Sequence, residues 1–66
     1  MSNKNKLKNI IEKHGFTMAL YEMTLSVFGT FYSGSVVDAN NKIVHDFEGV
    51  GIDEAKENLL NFFNKN

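Results

Sequence analysis

Two histidines, His14 and His45, are the side chains in this chain best suited to proton transfer near neutral pH. A general acid-base pair or a nucleophilic triad needs convergent partners in a pocket. His14 falls on the apolar stripe of a helical stretch, in its last turn, where packing and the helix C-terminus account for it. His45 stands beside Asp46 and Glu48, a metal-like set by residue type, but on a strand His45 points away from the other two. There is no cysteine, hence no thiolate metal site, no disulfide and no thiol nucleophile. Gly49-Val50-Gly51 precedes a helix and could turn amides toward an anion, but no Lys-Ser/Thr follows it, and a structural turn accounts for it. The residues therefore predict no catalytic centre, no metal and no cofactor.

The charged residues suggest a binding chemistry instead. Lys4, Lys6, Lys8 and Lys13 against Glu12 give residues 1–15 a formal charge of +3, while six acids and two lysines give residues 38–57 a charge of -4. The overall -1 thus hides a dipolar chain. Lys4, Lys8, Lys13 and Lys56 are the residues that would touch phosphate, whereas Asp53, Glu54 and Glu57 form an acidic surface fit for a protein partner. Arginine, the commonest reader of base edges, is absent.

These residues must be held by few elements, because 66 residues allow one domain and bury only roughly 60% of the unfolded surface. A 42% hydrophobic fraction and small net charge exclude a disordered chain. Leu7, Ile10, Ile11 and His14 recur at helical spacing over about 4–14, with Ser2 or Asn3 as cap and Gly15 as the stop. From Thr17 the period changes to two. Strands are expected at about 17–27, 30–38 and 42–48, with Gly29 turning the first hairpin, Asn40-Asn41 the second, and Gly49 and Gly51 ending the ladder. Ile52, Ala55, Leu59, Leu60, Phe62 and Phe63 share one arc of a second helix at about 53–64, at whose start Asp53, Glu54 and Glu57 crowd together. The prediction is an α+β fold: a two-layer α-β-β-β-α domain over 1–66, three antiparallel strands with both helices on one face.

The other sheet face then stays open, and it is expected to leave apolar side chains uncovered. Depending on the strand register, Met18 and Leu20, or else Tyr21 and Met23, face outward; Tyr32 adds an amphipathic aromatic of the kind enriched at interfaces.

The α-β-β-β-α order, together with Gly49-Val50-Gly51 and Ala55-Lys56, resembles the double-stranded RNA-binding domain. That resemblance implies helix 1 and the start of helix 2 as the nucleic-acid contact. Its two phosphate-binding lysines ahead of Ala55 are here Ile52 and Asp53. KLKNIIEKHGF is similar to the start of HicA-type toxins, which share the fold, but Phe31 follows Gly29-Thr30 where that family has its catalytic histidine. DFEGVGIDEAKENLLNFF is similar to a strand-to-helix segment of HicB-type antitoxins.

No run approaches the ~18 apolar residues of a membrane span, and the basic N-terminus has no apolar core after it, so a soluble, cytoplasmic protein is expected. Nine Asn and seven Lys without Arg or Pro is the usage of AT-rich genomes, such as low-GC bacteria and their phages. The expected function is a non-enzymatic, inhibitor-like interaction protein. Its partner is itself or another protein, and the contact is made by Met18, Leu20, Tyr32, Asp53, Glu54 and Glu57. The alternative is a divergent nucleic-acid-binding domain using Lys4, Lys8, Lys13 and Lys56.

Overall fold

The computed structural model describes residues 2–65, in the order α1 (Asn3–Lys13), β1 (Thr17–Ser26), β2 (Gly29–Val37), β3 (Ile43–Val50) and α2 (Ile52–Asn64). Ser2 caps α1: its Oγ accepts the Asn5 N–H at 3.2 Å, satisfying one of the helix's orphan donors. The other end closes with Gly15 at φ +86, its N–H donating to Glu12 O at 3.0 Å and the Phe16 N–H to Ile11 O at 3.2 Å. This pair of bonds is a Schellman closure, and Phe16 supplies the apolar contact that goes with it.

The three strands form one antiparallel sheet in the order β1-β2-β3. Pairing partners share a face, so the register sorts the side chains. On the helix face Met18, Val36 and His45 make one row, and Met23, Tyr32 and Gly49 another. On the open face the rows are Ala19, Ser35 and Asp46, then Glu22, Ser33 and Glu48, then Thr24, Phe31 and Val50. The core lies between the helices and the sheet, with Leu7 and Ile11 from α1, Tyr32 and Val36 from β2, Phe47 from β3, and Ala55 and Leu59 from α2. The predicted two-layer α+β architecture is therefore the observed one.

Four local expectations are corrected. Neither proposed register of β1 holds along its length, because a β-bulge at Leu20–Tyr21 opposes two residues to Gly34. It brings both Met18 and Tyr21 to the helix face and leaves Leu20 outside at φ +55. The first hairpin turns on Val27–Phe28, and Gly29, at φ +123, already opens β2. Gly49 does not end the ladder: it pairs with Tyr32, and the break comes at Gly51. Its lack of a Cβ serves packing instead, since one built there would stand 2.5 Å from the Ala55 nitrogen. Finally, Leu60 falls off the buried arc of α2 and is 39% exposed, while Ala55 and Leu59 are buried and Phe62 and Phe63 pack at the rim.

The second hairpin matches expectation more closely. Asn41 takes φ +64, and Asp38 organises the loop by accepting the Asn40 and Lys42 N–H groups on Oδ1 at 2.9 and 3.0 Å.

Candidate functional site

A helix rises about 1.5 Å per residue and a strand about 3.3 Å. The 11 residues of α1 thus cover about half the length of the ten-residue β1. Two contacts show where coverage stops. Asn3 Nδ2 donates to the Tyr32 hydroxyl at 2.7 Å, and Lys4 Nζ lies 5.6 Å from the Tyr21 ring centre. The first turn of α1 therefore sits over Tyr21 and Tyr32. Beyond them the β1–β2 hairpin continues as an arm without a helix above it, in a molecule 37 Å long and 21 Å across.

That arm is apolar. Exposure is 70% at Leu20, 55% at Met23, 77% at Leu25, 94% at Val27 and 85% at Phe28. Ser26 braces its tip, the Oγ donating to Gly29 O at 2.9 Å and accepting the Phe28 N–H at 3.2 Å. The open sheet face, by contrast, is polar at its centre: Ser35 Oγ donates to Asp46 Oδ1 at 2.6 Å, and Glu22 and Glu48 flank Ser33.

The predicted site residues thus separate. Leu20 is exposed on the bulge. Met18 is half-buried against the core, and Tyr32, at 4% exposure, is a core residue rather than a surface aromatic. Its position opposite Met23 on the helix face, under the first turn of α1, removes it from any contact surface. Asp53, Glu54 and Glu57 are exposed on α2, and the last two join Glu48, Asn58 and Asn61 around a shallow groove of about 440 Å³ between β3 and α2. Lys4, Lys8 and Lys13 are exposed along α1, and Lys56 is half-buried on α2 among the acids. Leu25, Val27 and Phe28, exposed on this arm, were not among the contact residues expected from the sequence. The strand–helix length mismatch was the available signal.

Both histidines are engaged in local contacts. His14 and His45 are far apart in role: the first donates from Nδ1 to Ile10 O at 2.8 Å and stacks on Phe63 at 4.1 Å between ring centres. The second places Nε2 2.9 Å from Asn58 Oδ1 and stacks on Phe62 at 4.3 Å. Burial, and secondarily the neighbouring Tyr32 phenol, push the Tyr21 phenol above its ordinary value. Among the described residues no three His, Asp or Glu side chains are placed to hold a metal ion. The Gly51 N–H, part of the glycine step weighed above as an anion holder, is committed to Thr30 O at 2.7 Å.

No family model, curated protein or solved structure matches this chain. The expected α-β-β-β-α order, with three antiparallel strands and two helices, is the one observed. No helix among the described residues is long and apolar enough to cross a membrane.

Proposed function

We propose that this protein is a non-enzymatic, inhibitor-like interaction module that binds a protein partner through the apolar β1–β2 arm. The observation that carries the reading is that five large apolar side chains between residues 20 and 28 are each more than half exposed. A domain with a thin stability margin gains nothing in solution from holding such a patch in water, and patches of this kind mark partner surfaces. The acidic groove of Glu48, Glu54 and Glu57 adds a second bias. It repels phosphate from the start of α2, where the double-stranded RNA-binding reading would need cations.

Two measurements test this. The chain and its Leu25→Ser/Phe28→Ser variant are immobilised and exposed to an extract of the cells that make the protein. Self-association or a retained protein that the variant loses supports the reading. Identical behaviour of the two chains defeats it. In parallel, labelled double-stranded RNA and DNA are titrated at low and moderate salt, and no binding tighter than the non-specific range is expected. Micromolar binding with a steep salt slope, abolished by Lys8→Glu with Lys56→Glu, would replace this reading with the nucleic-acid one.

A further inference from the structure

We propose that the occupant of the arm is a second copy of this chain, paired antiparallel along β1 about a two-fold axis through Thr24. The inference rests on the arm being a contact surface and names its partner. It starts from the backbone. β1 is an edge of the sheet. Thr30 O accepts the Gly51 N–H, so the peptide groups of Thr30 face β3. A strand residue turns its N–H and C=O the same way, so Thr30 and its partner Leu25 form a pair without hydrogen bonds to one another. The N–H and C=O of Leu25, and by the alternation those of Met23, therefore point away from β2 into the free edge. They are a ready template for another strand, and the edge carries none of the lysines or prolines that commonly block one.

The register follows from where β1 is straight. The bulge at Leu20–Tyr21 ends regular pairing on one side and the Val27–Phe28 turn on the other, leaving Glu22–Ser26. Two such five-residue segments overlap fully only when Thr24 faces Thr24 of the other copy. Met23 then pairs with Leu25 in both directions, using the outward peptide groups just identified. Both side chains lie on the helix face, so four apolar side chains meet in one cluster. Glu22, the single charge of the segment, falls opposite Ser26 rather than opposite its own copy. Continuing the same register, Val27 and Phe28 of each arm arrive beside Tyr21 and Leu20 of the other. The symmetric ladder thus covers Met23 and Leu25 of both copies, with Val27, Phe28 and Leu20 at its two ends. Centring instead on Leu25 would set Glu22 against Phe28, and centring on Met23 would leave only three residues of regular ladder.

The helices permit it, because the first turn of α1 stops over Tyr21 and Tyr32. The opposite edge is less suited: β3 has a bulge near Val44, projects Asp46 and Glu48, and is covered on one face by α2. Pairing two copies makes one six-stranded sheet with isologous contacts, the commonest closed assembly.

The chain contains no cysteine, so a single introduced thiol reports the register directly. Thr24→Cys across the axis would sit in a pair without mutual hydrogen bonds, whose Cα separation of about 4.5 Å suits a disulfide. Under mild oxidation it should form covalent dimer far faster than an Ala39→Cys control in the second hairpin loop. Light scattering over micromolar to millimolar concentration should show a monomer–dimer equilibrium for the parent chain. Leu25→Pro removes an outward N–H and the Leu25 side chain from the seam without touching the β1–β2 hydrogen bonds, and should weaken the dimer roughly tenfold or more while the fold persists. Leu25→Lys serves the same purpose should the proline variant fail to fold. A parent chain that stays monomeric at millimolar concentration overturns the inference. So does a dimer in which Thr24→Cys cross-links no faster than Ala39→Cys. A monomer whose arm still retains a different protein would sink the second copy as partner and leave the interaction-module reading standing.

Discussion

At the scale of single residues, three positions carry constraints that composition alone does not reveal. Gly49 lies under the first turn of α2, and a Cβ there would come within 2.5–2.9 Å of helix backbone atoms, which have no rotamer to escape into. Gly34 is crowded by the Phe47 ring, two of whose atoms would stand 2.7 Å from an added Cβ. Gly49→Ala should therefore cost about 3 kcal/mol or more and Gly34→Ala about 1–3 kcal/mol, by urea unfolding, because overpacking against backbone relaxes less than overpacking against a side chain. Equal costs would mean that α2 is free to shift away from β3. Leu20 is the opposite case. It holds φ +55, a conformation that costs an L residue about 1–2 kcal/mol, with its side chain mostly in water. Leu20→Gly should raise stability by about 0.5–1 kcal/mol, since relief of the left-handed strain exceeds the added chain entropy. If stability instead falls, Leu20 is doing structural service that its exposure conceals. If it rises while self-association weakens, the strain is kept for contact.

At the scale of elements, α2 ties the end of α1 and the start of β3 to itself through a pair of adjacent aromatic faces. Phe63 receives His14 from the end of α1 and Phe62 receives His45 from β3, each stacked within 5° of parallel. A double-mutant cycle between His14→Ala and Phe63→Ala should return a coupling of about 0.5–1.5 kcal/mol, and the His45/Phe62 cycle a similar value. A coupling indistinguishable from zero in both would show that the stacks merely fill space. The element boundaries were largely legible, because Ser2, Gly15 and Asn41 each do locally what their residue type favours. The bulge was legible only in part. Thr17 is polar and Met18 apolar, whereas Glu22 is polar and Met23 apolar, so odd residues face the open side at one end of β1 and even residues at the other. That conflict demands a slip, but nothing in Ala19-Leu20-Tyr21 marks its place, since no Gly, Pro or Asn stands there. Opposite the bulge stands Gly34 on the neighbouring strand, whose missing side chain makes room for the Phe47 ring. Tyr32 misled for a related reason: its residue type suits an interface, yet its strand parity and the length of α1 place it in the core.

At the scale of the whole molecule, the core and the exposed arm draw on different apolar residues. The core is Leu7, Ile11, Tyr32, Val36, Phe47, Ala55 and Leu59, all between helices and sheet. The arm contributes Leu25, Val27 and Phe28, which project past the body and remain largely exposed. A domain of this length has a total stability of roughly 3–10 kcal/mol. Phe47→Ala, at 1% exposure, should cost about 3–5 kcal/mol and leave a large unfolded population. Replacing Leu25, Val27 and Phe28 together by Ser removes more apolar surface than that, but surface that folding leaves mostly in water. The monomer should therefore lose no more than about 1.5 kcal/mol, the ordinary cost of three exposed changes, and keep a single cooperative transition. The comparison is made at low concentration, because any association that binds only the folded chain would add stability to the parent and not to the variant. With that term removed, a variant as damaged as Phe47→Ala would make the arm part of the folding unit. An intact variant would show that these residues are retained for something outside the chain's own fold.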